Sequence, residues 1–174
     1  MKKYFIAAAT FCCITGGSFA QEAAQPKNTN PISKSRILAV DSAVVTKHTV
    51  TIKGKAVPYT ATAGSMPIWD NDGRPVAGVF YTYYERDDVT DRASRPLVIS
   101  FNGGPGTPSV WMEIGYTGPR LLNIDNEGNP VQPYGMRDNE NSILDIADIV
   151  YLDPVNTGYS RIVDKGTPGS KFFG

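Results

Sequence analysis

The 174-residue chain reads as an α/β protein built on a mixed sheet that is entered through antiparallel hairpins. Three observations predict this. Residues 48–52, 56–63 and 76–84 alternate in the manner of half-covered strands. Leu97–Phe101 and residues 149–152 are short, continuous apolar runs of the kind expected for strands buried on both faces. The 17 Gly and 13 Pro punctuate the chain so often that long helices are unexpected, and the length suits one domain.

Before the first strand lies a segment with the composition of an export signal. Lys2 and Lys3 give a positive start, residues 4–14 are almost wholly apolar, and Gly16, Gly17, Ser18 and Ala20 are small, which predicts cleavage after Ala20. The apolar run falls short of the roughly 18–20 residues that span a bilayer, so no membrane association is expected once the signal is removed. Both cysteines, Cys12 and Cys13, fall inside it, and the exported chain is therefore expected to hold no thiol and no disulfide. It would keep 15 basic residues against 17 acidic ones, a balance that argues against a nucleic-acid partner and against an acidic, disordered tail. The expected division is signal peptide 1–20, flexible lead-in 21–47 and folded portion 48–174, with a secreted or periplasmic destination.

The elements follow in order. Gly54 with its flanking lysines predicts a turn joining the first two alternating stretches. Asp70-Asn71-Asp72-Gly73 predicts the turn of a second hairpin, Gly73 supplying a positive φ. That tetrapeptide superficially suggests a calcium loop, but the later ligands are missing at the required spacing, and neither metal nor cofactor is expected. Residues 85–95 form a mixed-charge connection, Pro96 opens the first apolar run, and residues 142–147 make a short helix or turn before the second.

The chemistry concentrates where the first apolar run ends, in Asn102-Gly103-Gly104-Pro105-Gly106. Glycines leave backbone N–H groups uncovered, free to point at a ligand oxygen. Read alone, the same residues also fit a tight turn with no ligand. Downstream come Trp111, Gly118-Pro119-Arg120, Asn141-Ser142 and then Asp153-Pro154-Val155-Asn156-Thr157-Gly158-Tyr159-Ser160 directly after the second apolar run.

That series, in that order from Tyr81 to Gly174, resembles the cathepsin A-like serine carboxypeptidase family of the α/β-hydrolase fold. The resemblance implies the N-terminal part of an α/β-hydrolase sheet, truncated before the nucleophile elbow, with Lys171-Phe172-Phe173-Gly174 opening the stretch that precedes it. It implies an enzyme that removes C-terminal residues from peptides through an acyl-enzyme. Gly104 would donate its main-chain N–H to the oxyanion, while Asn102 and Gly103 would hold the carboxylate of a peptide with a free C-terminus. Asp153 and Ser160 are expected to be structural, Asp153 ordering its turn through side-chain to main-chain bonds.

Several positions depart from the family pattern. Thr107 and Pro108 stand where many members begin with Cys, Tyr116 where many have Glu, Ser100 where Trp is frequent and Asn156 where Gly is usual; Glu113 is close to the missing Glu but out of register with it. A serine hydrolase of this fold also needs Gly-x-Ser-x-Gly, an acid and a His in that order. The chain has no such elbow: Ser65 and Ser170 follow glycines but lack the second one, and the sole histidine, His48, precedes the glycine loop and reads as a surface strand residue. The 174 residues are therefore expected to be inactive alone. Two alternatives stay open: a proline iminopeptidase-like hydrolase, which usually has His where this chain has Asn102, and a non-catalytic, strand-rich secreted binding module.

Overall fold

The computed structural model describes residues 41–103 and 106–172, so the signal and most of the lead-in expected from sequence lie outside the described residues. Strand β1 (Ser42–Ile52) turns through Lys53-Gly54 into β2 (Lys55–Trp69), and Asp70–Arg74 lead into β3 (Pro75–Arg86). Lys53 and Gly54 both have positive φ, 49° and 77°, the geometry that lets a two-residue turn follow the twist of its strands. Gly73, at φ 73°, does the same for the second turn, where Asp70 Oδ1 accepts the N–H groups of Asp72 and Arg74 at 3.0 and 2.8 Å.

Two boundaries differ from the sequence reading. Pairing begins at Ser42 against Ser65, so residues 42–47, assigned above to the lead-in, belong to β1. The second strand runs unbroken through Gly64-Ser65-Met66-Pro67, turning the two expected hairpins into one three-stranded meander. Gly64 is needed there because a Cβ would sit 2.8 Å from both Ser42 O and Tyr81 Oη. The aromatic side chain of β3 lies over a hole in β2.

Beyond the meander, a 3-10 turn (Arg92–Ser94) leads to β4 (Leu97–Phe101). One α-helical turn (Val110–Met112) then widens into a π turn (Glu113–Thr117), and β5 (Arg120–Leu122) and β6 (Met136–Asp138) form a separate small ribbon. A 3-10 turn (Ile143–Asp145), β7 (Asp148–Leu152) and β8 (Arg161–Ile162) follow. The main sheet has the order β1-β2-β3-β7-β4, with β8 on the far end of β3; β4 runs parallel to β7 and every other pair is antiparallel. This is the mixed sheet with leading hairpins that the sequence predicts. No described helix is long and apolar enough to cross a membrane.

One sheet face is closed. Val50, Ile52, Val57 and Tyr59 are buried around Leu144 of the 143–145 turn, with Ala61 and Tyr84 against them. Fully burying each aliphatic side chain contributes about 1.5–3 kcal/mol, so Leu144 fastens the turn before β7 to the meander. On the other face the expectation for β4 fails: Leu97, Ile99 and Phe101 are 58, 58 and 66% exposed. The physical reason is position. Among the described residues β4 is an edge strand paired on one side only, and nothing described covers that face.

A buried charge pair anchors the start of β7. Asp148 Oδ1 accepts from Arg95 Nε at 2.6 Å and from the Arg86 N–H at 3.0 Å, while Arg95 Nη2 donates to Leu144 O at 2.5 Å. Both side chains are about nine-tenths buried. A half-buried carboxylate, Glu113, receives the Tyr84 hydroxyl on Oε1 at 2.6 Å. Burial pushes its carboxyl above the ordinary range and the nearby Asp153 charge adds to this, while hydrogen bonds with Tyr84 and Thr82 oppose it. Burial, then the Glu113 charge, likewise holds the Tyr84 hydroxyl far above its usual value.

Two stability outcomes follow. Asp148→Ala strands the buried Arg95 guanidinium and is expected to cost about 3–5 kcal/mol in urea unfolding, against under about 1 kcal/mol for the exposed Asp72→Ala. For Glu113 the folded pKa is raised, so its contribution is complete below the unfolded value and is lost as pH rises through the folded one. Wild-type stability relative to Glu113→Gln is therefore expected to fall with rising pH; a constant difference between their urea midpoints over about pH 4 to 8 would refute this.

Candidate active site

The parallel β4–β7 pair ends in register, Phe101 opposite Leu152, and the glycine loop leaves from the first of these. Its two flanks meet at Ser109. The Asn102 N–H donates to Ser109 Oγ at 3.2 Å, and Ser109 Oγ in turn donates to Leu152 O. The Ser109 N–H donates to Asp153 Oδ1 at 2.9 Å. Ser109 is fully enclosed, which makes it a structural tie between the two strand ends.

Within the loop, the Asn102 side chain faces its own backbone: Nδ2 donates to Pro108 O at 3.4 Å and Oδ1 accepts the Gly103 N–H at 3.0 Å. Gly103 is exposed, and a Cβ added there would meet nothing within 4 Å. The same holds for Gly106, whose φ of +97° also demands glycine. The loop thus presents its described glycines to open space, with the Gly103 donor occupied by an adjacent amide. Gly104, expected to supply the oxyanion donor, lies outside the described residues, as does Pro105.

The turn after β7 is built around Asp153. Its Oδ2 accepts the Tyr159 N–H at 3.1 Å, and its own N–H and carbonyl bond to Phe80 O at 3.0 Å and Ser160 Oγ at 2.7 Å. Ser160 Oγ, fully buried, also accepts the Phe80 N–H at 2.8 Å. Both residues are structural here, in agreement with the sequence reading. Asn156 has φ 68°, which explains why it can stand where glycine is usual: Asn tolerates the left-handed region better than most residues. Gly158 has no such latitude. At φ +48° its Cβ would lie 1.8 Å from Asp153 Oδ2.

Other expected residues fall into place differently. Asn141 is exposed, and it is the neighbouring, buried Asn139 that holds the Gly118-Pro119 bend, donating from Nδ2 to Tyr116 O at 3.0 Å and Gly118 O at 2.8 Å. Ser142 adds a bond from Oγ to Thr117 O at 3.2 Å. Tyr116 is 68% exposed and takes part through its carbonyl alone. Glu113, one helical turn earlier, points under the sheet to Tyr84. His48 bonds Thr46 Oγ1 at 2.8 Å and stacks on Tyr59 at 5.4 Å, on the strand at the opposite sheet edge from β4. Four inter-strand steps, about 19 Å, separate those edges, so His48 is no base for this loop. Lys171 and Phe172 lie in a 3-10 turn (Gly169–Phe172), while Phe173 and Gly174 are outside the described residues.

Sequence reasoning missed Ser109 and Asn139. Each was detectable only weakly: Ser109 as a small polar residue just before a helical turn, Asn139 as a member of the polar run 137–142.

Comparison with known proteins places the chain in a family. The model of the serine carboxypeptidase family matches residues 52–169, reaching back through the meander to the end of β1 and well ahead of the motifs read from sequence. A serine carboxypeptidase S10 family member from Dictyostelium discoideum is 32% identical over 89 residues, 51% of this chain and 19% of the relative. Serine carboxypeptidase-like 31 of Arabidopsis thaliana is 31% identical over 110 residues, covering 60% of this chain and 19% of the relative. Among solved structures, a prohormone-processing carboxypeptidase from Saccharomyces cerevisiae aligns with 62% of this chain and 22% of its own at 27% identity and a TM-score of 0.48. The chain spans about a fifth of the length of these relatives. Because the family match covers most of the sequence, including the glycine loop and the Asp153 turn, the chain belongs to the serine carboxypeptidase family.

Proposed function

We propose that these residues contribute the oxyanion-binding and carboxylate-binding part of a serine-type carboxypeptidase, exported from the cytoplasm, that removes C-terminal residues from peptides. The observation that carries this reading is the glycine loop itself. It leaves the end of a strand whose parallel neighbour fixes its direction, both flanks are tied through Ser109, and its described glycines face open space. A loop tied at both flanks holds amides at defined positions, and preorganised donors stabilise developing negative charge better than mobile ones.

In this reading a serine hydroxyl outside these residues attacks the scissile carbonyl while a histidine takes its proton. The carbonyl oxygen gains the negative charge, with the Gly104 N–H as one of its donors. Collapse expels the terminal amino acid as the amine, protonated by the histidine, and water then hydrolyses the acyl-enzyme. The departing residue carries the free carboxylate. Gly103 N–H and Asn102 Nδ2 are its donors: the carboxylate replaces Asn102 Oδ1 on the first and Pro108 O on the second, exchanging two internal bonds for charge-assisted ones. Export of the protein rests on the composition of residues 1–20.

The test is kinetic, on the full-length gene product. Gly104→Pro removes an oxyanion donor and is expected to lower kcat by at least about 10²–10³-fold. Asn102→Ala is expected to raise KM about tenfold or more for peptides with a free C-terminus while leaving amidated analogues unaffected. Equal losses on both peptide types would reject the carboxylate role. Residues 1–174 alone, with no Gly-x-Ser-x-Gly, are expected to release no amino acid from a blocked dipeptide.

A further inference from the structure

The glycine loop poses a mechanical problem. Three of the five residues from Asn102 to Gly106 are glycine, and glycine loses more conformational freedom on ordering than any other residue. Such a loop holds an amide in a defined direction only if something outside it fixes both ends.

We infer that Ser109 and Asp153 are positioning residues that together set the direction of the loop's N–H groups, an inference that rests on the carboxypeptidase reading for its catalytic consequence. Ser109 acts twice. Its hydroxyl accepts the Asn102 N–H at the start of the loop and donates to Leu152 O, so the first loop residue is referenced to the end of β7. Its own N–H, at the far end of the loop, is referenced to Asp153 Oδ1. One buried side chain and its backbone thus pin both ends.

Asp153 supplies the fixed point. Its second carboxylate oxygen takes the Tyr159 N–H, and its backbone is tied to β3 through Phe80 O and, by way of Ser160, the Phe80 N–H. A continuous chain of bonds therefore runs from Phe80 O of β3 to the Asp153 N–H, and from Asp153 through Ser109 to Asn102, with Ser160 as a side branch that the chain does not need. Gly158 permits it. A side chain there would strike Asp153 Oδ2 and lie 3.0 Å from Pro108 Cβ, wedging the two loops apart. Asp153 accepts two N–H groups on two different oxygens, which no amide can do. An Asn at 153 has one acceptor oxygen and must turn its NH2 toward one of the two donors.

The geometry separates this role from general stability. Ser160 is as buried as Ser109, but its hydroxyl bonds only the Phe80 N–H and Asp153 O, its backbone bonds Thr157 O and the Arg161 guanidinium, and without that hydroxyl the Asp153 N–H keeps its bond to Phe80 O. It is the control.

Hydrogen exchange read by mass spectrometry on the wild type, Ser109→Ala, Asp153→Asn and Ser160→Ala decides the clamp without needing turnover. Exchange in residues 102–109 is expected to accelerate at least about tenfold in the first two variants, with the β1–β2 hairpin unchanged and with Ser160→Ala leaving the loop protected. Unchanged loop exchange in Ser109→Ala, or equal acceleration in Ser160→Ala, overturns the inference. In the full-length protein, Ser109→Ala and Asp153→Asn are expected to lower kcat about 10–100-fold and also to raise KM for peptides with a free C-terminus, because Asn102 and Gly103 lie in the same loop, while Ser160→Ala keeps both at equal folded fraction. Loss in KM alone would also overturn it. A wild type that turns over no peptide rejects the carboxypeptidase reading, and the exchange result judges the clamp in that case as well.

Discussion

Asp148 and Asp153 bracket β7, and the rest of the fold depends on how their carboxylates are satisfied. A strand buried in the middle of a sheet must find partners for every polar group at its ends, where the ladder stops. At the start of β7, Asp148 takes the Arg95 guanidinium and the Arg86 N–H, which joins the charged connection and β3 to the same point. At its end, Asp153 takes the N–H groups of Ser109 and Tyr159, joining the glycine loop to the following turn. β7 and β4 form the one parallel pair among the described strands, so the two ends of β7 decide where β4 starts and where the loop leaves.

This arrangement separates the apolar part of the structure from the glycine loop. The meander and the closed face, with Val50, Ile52, Val57, Tyr59 and Leu144 enclosed, supply apolar burial. The described flanks of the loop are tied instead by hydrogen bonds, from the Asn102 N–H to Ser109 and from the Ser109 N–H to Asp153. A glycine-rich segment that must face a ligand cannot cover itself with side chains, so its rigidity has to be imported. Among the described residues β4 has no neighbour on the side away from β7. The electrostatics beneath are economical of cations: Glu113 is held by Tyr84 and raised by burial, and Asp153 is held by main-chain amides.

Departures from the family pattern also have local reasons. Asn156 replaces a usual glycine at a left-handed position because its short amide side chain tolerates that conformation, whereas Gly158 two residues later admits no substitute. Tyr116 points to solvent where an acid is frequent in the family. The carboxylate of this segment is instead the half-buried Glu113, bonded beneath the sheet to Tyr84.

Local pattern was enough wherever local forces decide. Alternation placed the strands of the meander, Gly54 and Gly73 marked their turns, and the run from Asn102 to Gly106 announced a chemically exposed loop, because turn geometry and strand period depend on residues close in sequence. Asp153 was legible as a turn former for the same reason. Other features depend on distant neighbours. Gly64-Ser65-Met66-Pro67 looks like a break and is a strand, since Tyr81 of β3 fills the space above Gly64. Leu97–Phe101 looks buried on both sides, yet apolarity says only that a residue can be buried; the sheet order put it at an edge. Ser109 is an ordinary serine until Leu152 and Asp153, more than forty residues away, arrive beside it. By itself the sequence determined which segments form the meander and where its turns fall. Only the tertiary structure decided what holds the glycine loop still, because a hydrogen bond between remote segments leaves no periodic trace in either.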